Sequence, residues 1–488
     1  MKNHIVSMKH ILLLAVIMMI PSCAVNPVTG KKQFMLMSES QEAQMGAEYH
    51  PQVMAAFGEY KNDNLLNYIQ QKTNEMGKIS HRPKVQWHVN IVDSPVVNAF
   101  AVPGGYLYLT RGILAHFNNE AELFGVIGHE MGHVTARHTA SQQSRQQLGQ
   151  VLLIGGMIAS PKLAEYAQTA MQGMQLLFLK FSRDNEEESD RLGVEYSSKI
   201  GYDAHKMADF FQVLNKMSLA ESQGGIPTFM STHPDPGDRY TSVNKKANEW
   251  QAKLKSSDWK VNRESYLQMI DGIVYGEDPR QGYVEGTTFY HPELRFNFTY
   301  PAGWKYENQP TRVNMAPEDG KALLVFTLSG EKSLQAAADS SISQLGLTAQ
   351  DAKKTTVDGM PAITVASQQV SQDQQTGQQS SILVLSYFIE YGKNFYVFHG
   401  VSSEADFKTY ASSLESVMQS FSRLTDASKI NVQPKKLHIQ KVTSSGTLAD
   451  AFKQYNVPQD QMSKIALLNN MELTDKVEAG RLIKVIGE

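Results

Sequence analysis

LFGVIGHEMGHVTARH, residues 123–138, sets the apolar side chains Leu123, Val126, Ile127 and Val134 at helical spacing around His129-Glu130-Met131-Gly132-His133. That period predicts a buried α-helix. Residues four apart on a helix share a face, so the two imidazoles can bind one metal ion while Glu130 leans toward the water that the metal activates. Zinc lowers the pKa of such a water from about 16 to about 7, and a carboxylate beside it can take the proton and later pass it to a leaving amine. The pattern points to metal-assisted peptide hydrolysis. A bare His-Glu-x-x-His also occurs in core helices whose histidines are satisfied by neighbours, so the rest of the chain has to supply the missing parts.

A catalytic zinc takes three protein ligands and keeps one position open. In FSRDNEEESDRLG (181–193), Glu186 and Asp190 are four apart and share a helix face, giving one ligand and one carboxylate behind it, whereas Glu187 and Glu188 point elsewhere. Three consecutive glutamates also read as a solvated acidic face. In AFAVPGGYLYLTRG (99–112), Val102, Tyr106 and Tyr108 alternate around Pro103 and Gly104-Gly105. This predicts an interrupted strand at a sheet edge, where an extended peptide could add along Ala101, Val102, Gly104 and Gly105; an ordinary glycine hairpin is the alternative. FMSTHPDPGDR (229–239) places His233 and Arg239 on a proline-rich loop, where a lone histidine also reads as a surface residue.

The amino terminus bears on location. Lys2 and Lys9 precede an apolar run, Ile11–Ile20, that is too short to span a ~30 Å bilayer and suits a signal peptide. Ile20-Pro21-Ser22-Cys23 follows, and Cys23 is the only cysteine, so it forms no internal disulfide and is placed for lipid attachment. Simple cleavage and secretion is the alternative. With 46 basic and 49 acidic residues and a net charge of −3, the chain has no basic field for nucleic acid. Beyond the signal no apolar window is long enough to cross a membrane. The run Val151–Ala159 is again too short and reads as a helical excursion between the two metal-bearing helices.

Four blocks occur in order: NPVTGKKQFMLMSESQE (26–42), NAFAVPGGYLYLTRGIL (98–114), the His-Glu-x-x-His helix, and SRDNEEESDRLG followed by STHPDPGDR. Together, over roughly residues 24–250, they resemble the gluzincin peptidases of the CAAX prenyl protease type, family M48, in its soluble bacterial lipoprotein branch. The resemblance implies that His129, His133 and Glu186 bind one zinc ion per chain, that Glu130 is the general base, and that Asp190 is the acid or a partner behind the ligands. Ser189 stands where the family usually has Ala, a small-for-small change. The resemblance further implies a loop folded over the site, with Arg239 on it and His233 near the metal. There His233 would stabilise the oxyanion or take the water's place as a fourth ligand, which would make the enzyme latent. Ala24 and Val25 after the cysteine resemble Gram-negative outer-membrane lipoproteins facing the periplasm.

The resulting fold class is multidomain. A signal peptide (1–22) precedes a mainly helical zincin-like (gluzincin) peptidase domain with a small sheet (23–265), whose helices are expected at Gln41–Phe57, Asn64–Met76, Asn119–Gln150, Glu165–Ile200, His205–Met217 and Tyr240–Leu254. A turn-rich linker (266–290) leads to an α+β domain (291–425). Strands are expected there at Ala322–Leu328, Ala362–Val370, Ile382–Tyr391 and Phe395–Val401, with helices at Ser333–Leu345 and Glu404–Phe421 covering one face. Its opening, RFNFTYPAGW, is faintly similar to PsbP-like and Mog-type domains; no catalytic constellation is visible in it, and the Gln-rich 367–381 reads as a loop tip. After a second linker (426–436), residues 437–488 give a βααβ order that resembles a lysin-motif module. Ser444-Ser445-Gly446-Thr447 lacks the acidic residue common before the threonine, and a module that binds protein, or nothing, fits as well.

The leading expectation is a zinc metalloendopeptidase of the cell envelope acting on misfolded or stalled envelope proteins, with the outer-membrane assembly machinery and peptidoglycan as candidate further partners, no nucleic acid, and membrane contact by the lipid anchor only. A latent or non-proteolytic chaperone or binding factor is the alternative, and a peptidoglycan hydrolase a weaker third. An intact Glu130 favours the first, since a scaffold has no chemical need for it.

Overall fold

A computed structural model describes residues 23–144, 181–220, 228–233, 238–372 and 379–488. The leader over 1–22, the apolar run 151–159 and the tip 373–378 of the Gln-rich stretch lie outside these residues.

Strands β1 (Cys23–Val25) and β2 (Lys32–Phe34) pair antiparallel and lead into helices α1 (Glu39–Phe57) and α2 (Asp63–Lys78). Ser38 and Gln41 form a reciprocal capping box that starts α1. A three-stranded sheet follows, β3 (His88–Val92), β4 (Ala99–Val102) and β5 (Tyr106–Thr110), in the order β3-β5-β4. The interrupted strand expected at 99–112 is thus a hairpin: β4 is an edge strand, and Pro103-Gly104-Gly105 turns the chain into the central β5. Gly104 has φ +87°, and a Cβ there would lie 2.8 Å from the Ala43 Cα, so only glycine lets the turn rest on α1.

After the short helix α3 (Arg111–His116) comes α4 (Glu120–Thr135), which carries His-Glu-x-x-His and is buried along its whole length. Asn119 caps it by accepting from the Glu122 amide. It does not run on to Gln150 as periodicity predicted, because Arg137 adopts a left-handed backbone (φ 62°) and breaks it. That conformation costs about 1 kcal/mol for a non-glycine residue. It is offset where Arg137 donates to the Glu42 carboxylate at 2.5 Å and to the Met37 carbonyl at 2.7 Å. The chain is helical again over 138–144.

Helix α5 (Arg183–Lys199) packs on α4 through small residues. A Cβ on Gly128 would be 3.0 Å from the Gly193 Cα, and one on Gly132 would be 3.0 Å from the Ser189 Cα. Such close approach holds the two metal-bearing helices almost backbone to backbone, and explains why position 189 takes only a small side chain. Helices α6 (His205–Ala220), α7 (Thr228–Thr232) and α8 (Arg239–Leu254) complete the layer.

The linker expected over 266–290 is structured at both ends. Helix α9 (Arg263–Ile270) buries Tyr266, Leu267 and Ile270 in the same core as α4. Strands β6 (Tyr283–Glu285) and β7 (Thr288–His291) join β8 (Phe296–Thr299) in a four-stranded sheet, so only the polar turn between them connects. Beside it lies a seven-stranded antiparallel sheet containing β9 (Lys305–Gln309), β10 (Arg312–Ala316), β11 (Ala322–Ser329), β12 (Thr348–Val357), β13 (Met360–Gln372), β14 (Gln379–Tyr391) and β15 (Asn394–Ser403), with helix α10 (Leu334–Gln344) between β11 and β12 and α11 (Glu404–Gln419) after β15. The two helices do not share a face. Phe388 and Val397 pack with α10, while their neighbours Ile389 and Phe398 pack with α11, and alternate strand residues point to opposite faces. Both faces are therefore buried, one of them also under Phe289, Phe296 and Phe298 of the smaller sheet.

After the one-turn helix α12 (Ala427–Ile430), strand β16 (Lys436–Lys441) pairs antiparallel with β17 (Leu482–Gly487) around α13 (Leu448–Gln454) and α14 (Gln459–Leu468), and a two-residue strand pair at Gly446–Thr447 and Lys476–Val477 supplements the expected order. The unit is docked rather than strung out. Leu437 and Leu468 enter the core of the helical region, and the buried Lys484 donates to the carbonyls of Ala115 (2.9 Å), Phe117 (2.6 Å) and Leu468 (3.1 Å).

Candidate metal centre

One turn of α4 sets His129 and His133 on the same face, with the Nε2 atoms 3.1 Å apart. Close packing of α5 brings Glu186 beneath them, Oε2 at 3.5 Å from His129 Nε2 and Oε1 at 3.5 Å from His133 Nε2. His233, at the end of α7, adds Nδ1 at 3.1 Å from Glu186 Oε1 and 3.3 Å from His129 Nε2. All four side chains are buried and their donor atoms lie within 4.8 Å of one another. Phe181 stacks on His133 with ring centres 3.9 Å apart, and Phe229 stacks on His233 at 4.5 Å.

Glu130 stands beside this group. Its Oε1 faces His233 Nε2 at 3.6 Å and, among the described residues, neither this oxygen nor Glu186 Oε2 accepts a hydrogen bond. Burial lifts the Glu130 carboxyl to about 7 even though His233 and Arg239 pull it down. Asp190, one helical turn after Glu186, accepts from His129 Nδ1 at 2.9 Å and from Arg239 through Nη2 at 2.5 Å and Nε at 3.0 Å. Burial alone would raise its pKa, but Arg239 and His129 win and hold it at about 2. The Arg239 guanidinium also lies over the Phe211 ring, 3.7 Å from its centre.

Each residue singled out around the metal motif thus falls within one cluster. Of the four substrate-strand positions, Ala101 and Val102 lie in the edge strand β4, while Gly104 and Gly105 lie in its turn. Cys23 opens β1, paired with Phe34. Two residues escaped the helical-face reading. Glu188, expected to point elsewhere, has its Oε2 at 3.1 Å from His138 Nε2, and His138 Nδ1 lies 3.0 Å from His133 Nδ1. His138 follows His133 by five residues, off the ligand face, and returns to it only through the turn at Arg137.

Imidazole nitrogens and a carboxylate converging in a buried cluster, with carboxylate oxygens left unsatisfied, fit one zinc ion. The donor set on two packed helices defines a zinc metallopeptidase site of the gluzincin kind. Residues 64–247 match the family model described as peptidase family M48, and they form a domain of that family. The beta-barrel assembly-enhancing protease of Yersinia pestis is 30% identical over 47% of this chain and 49% of its own length. The mitochondrial metalloendopeptidase OMA1 of Arabidopsis thaliana is 33% identical over 36% of each chain. The chain spans about half the length, or less, of the curated relatives it matches. The solution structure of cyanobacterial PsbP from Synechocystis sp. PCC 6803 overlaps 29% of this chain and 94% of its own, at 13% identity and a TM-score of 0.23.

Proposed function

We propose that the protein is a zinc-dependent endopeptidase of the bacterial cell envelope that cleaves misfolded or stalled envelope proteins. The observation that carries this reading is the convergence of His129, His133 and Glu186 beside Glu130, whose buried Oε1 accepts no hydrogen bond among the described residues. Zinc bound there would supply a Lewis acid for the peptide carbonyl and an acidified water. Glu130 would take a proton at its free Oε1 and deliver it to the leaving amine. Asp190, gripped by Arg239, keeps the hydrogen on His129 Nδ1 so that Nε2 offers its lone pair. The edge strand β4 would take an extended substrate at Ala101 and Val102 through main-chain hydrogen bonds, without sequence preference.

A role in the assembly of β-barrel proteins is supported by the name of the Yersinia relative, a beta-barrel assembly-enhancing protease. Attachment through Cys23 and a periplasmic location rest on the leader and its cysteine, and among the described residues no helix is long and apolar enough to cross a membrane. For the carboxy-terminal unit we propose a lysin-motif-like fold that binds glycan chains, tested by pull-down on purified peptidoglycan.

A second reading, a latent enzyme or binding factor, is favoured by His233. Its Nδ1 sits among the other donors, where a fourth protein ligand would take the place of water. The test of both uses a soluble form lacking residues 1–23, with zinc content and cleavage of an unfolded protein measured beside Glu130→Gln and His233→Ala. About one zinc per chain, cleavage lost with chelator and in Glu130→Gln, and cleavage raised in His233→Ala are the expected results for a latent peptidase. Zinc without cleavage in any variant would leave the binding factor, and no zinc would sink the site.

A further inference from the structure

The two ligand histidines on α4 are oriented differently. His129 gives its Nδ1 hydrogen straight to the Asp190 carboxylate. Among the described residues His133 has no carboxylate at that nitrogen and meets instead the Nδ1 of His138 at 3.0 Å. Two ring nitrogens at that distance share one hydrogen, and which ring carries it is decided at the far side of His138. There Nε2 lies 3.1 Å from Glu188 Oε2, and an ionised carboxylate can only accept. The hydrogen of His138 is therefore on Nε2, its Nδ1 is an acceptor, and His133 must donate from Nδ1. That leaves the lone pair of His133 on Nε2, the atom facing His129 and Glu186. Ser189 Oγ, at 3.4 Å from His138 Nδ1, is the longer contact at the same nitrogen.

We propose that His138 and Glu188 are positioning residues for zinc binding: a relay from Glu188 through His138 that fixes the tautomer and ring orientation of His133. This inference rests on the zinc site proposed above. The relay accounts for the strained turn at Arg137. A residue five positions after His133 on a continuous helix would point about 140° away from it, at 100° per residue. The left-handed residue between them swings His138 back. Glu42, buried in α1, holds that residue through Arg137 Nε and also accepts from Arg82 at 2.8 Å, while Arg82 in turn donates to the Val134 carbonyl at 3.0 Å. Four elements thus hold the far side of one metal ligand.

The test is the zinc dissociation constant of the soluble protein, measured by competition with a chelator of known affinity, together with the melting temperature of the metal-free protein. Removing an outer hydrogen-bond partner of a metal-bound histidine weakens metal binding about 10- to 100-fold, and His138→Leu is expected in that range. In His138→Asn the amide oxygen takes the place of Nδ1 as acceptor, and affinity should return to within about threefold of wild type. The metal-free melting temperatures should agree, since the role concerns the ligand and not the fold. Wild-type affinity in His138→Leu, or equal weakening in His138→Asn, would overturn the relay. If His138→Leu does not fold, Glu188→Leu serves in its place, with weaker zinc binding upholding the proposal and unchanged binding overturning it. A wild-type protein that binds no zinc would instead remove the site itself.

Discussion

Buried histidines occur in both the helical region and the large sheet, and the contrast shows what separates a metal centre from a satisfied core. In the helical region the nitrogens of His129, His133 and His233 face one another and Glu186, while among the described residues Glu130 Oε1 and Glu186 Oε2 lack hydrogen bonds. In the sheet, His399 is equally enclosed, but its Nδ1 meets Ser386 Oγ at 2.8 Å and its Nε2 meets Ser341 Oγ at 2.9 Å, so each ring nitrogen has its own hydroxyl. One arrangement is complete as it stands and the other calls for a cation. The largest expected effect follows directly. Glu130→Gln should lower the rate of cleavage about 10²- to 10⁴-fold with zinc content unchanged, whereas His399→Ala, assayed per folded molecule, should cleave at the wild-type rate. Cleavage lost equally in both would break the distinction.

The same contrast separates two ways of attaching a carboxy-terminal unit. The large sheet buries an aromatic core together with the smaller sheet beside it, with Phe298, Phe326 and Phe398 in mutual contact. The last unit instead lends Leu437 and Leu468 to the helical core and spends the charge of Lys484 on three carbonyls, two of them just before α4. Lys484→Met keeps the length of the side chain and leaves those carbonyls without a donor. It should cost about 3 kcal/mol of stability, read as a lower midpoint in urea unfolding. A neutral substitution would mean that this unit is merely tethered.

Much of the site was legible because its residues obey one period. His129 with His133, and Glu186 with Asp190, are each four apart, and the spacing alone put each pair on one face. Four strands of the large sheet, β11, β13, β14 and β15, were equally plain from their alternation, whereas β9, β10 and β12 were not read, and the Gln-rich 367–381 taken as a loop tip is strand over 367–372 and 379–381. What escaped was set by contacts distant in sequence. The stop after Thr135 is imposed by Glu42, some 95 residues away, and no local signal marks Arg137 as left-handed. Glu188 was dismissed because helical geometry points it away from Glu186, yet that direction leads to His138. The linker over 266–290 was misjudged because Gly276, Asp278, Pro279 and Gly282 dominate its composition, although Tyr266, Leu267 and Ile270 before them bear the spacing of a buried helix face. Which faces α10 and α11 cover depends on strand register, and register is a property of the assembled sheet.

The smallest effect sharpens the comparison through pH. Burial pushes the pKa of His399 down from 6.5 to about 4, and its hydroxyl partners add no opposing charge. The unfolded chain therefore binds more protons than the folded one between those values, so folding loses stability as pH falls through that window and keeps it above about 6.5. Between pH 7.5 and pH 4.5 this single group should remove about 2 kcal/mol. Replacing it with Gln, which carries no titratable proton, should flatten that part of the pH dependence in urea unfolding while leaving the slope from other groups intact. If the slope is unchanged, His399 is reached by water or by a charge, and the sheet does not hold the closed, fully satisfied histidine on which the contrast with the metal centre depends.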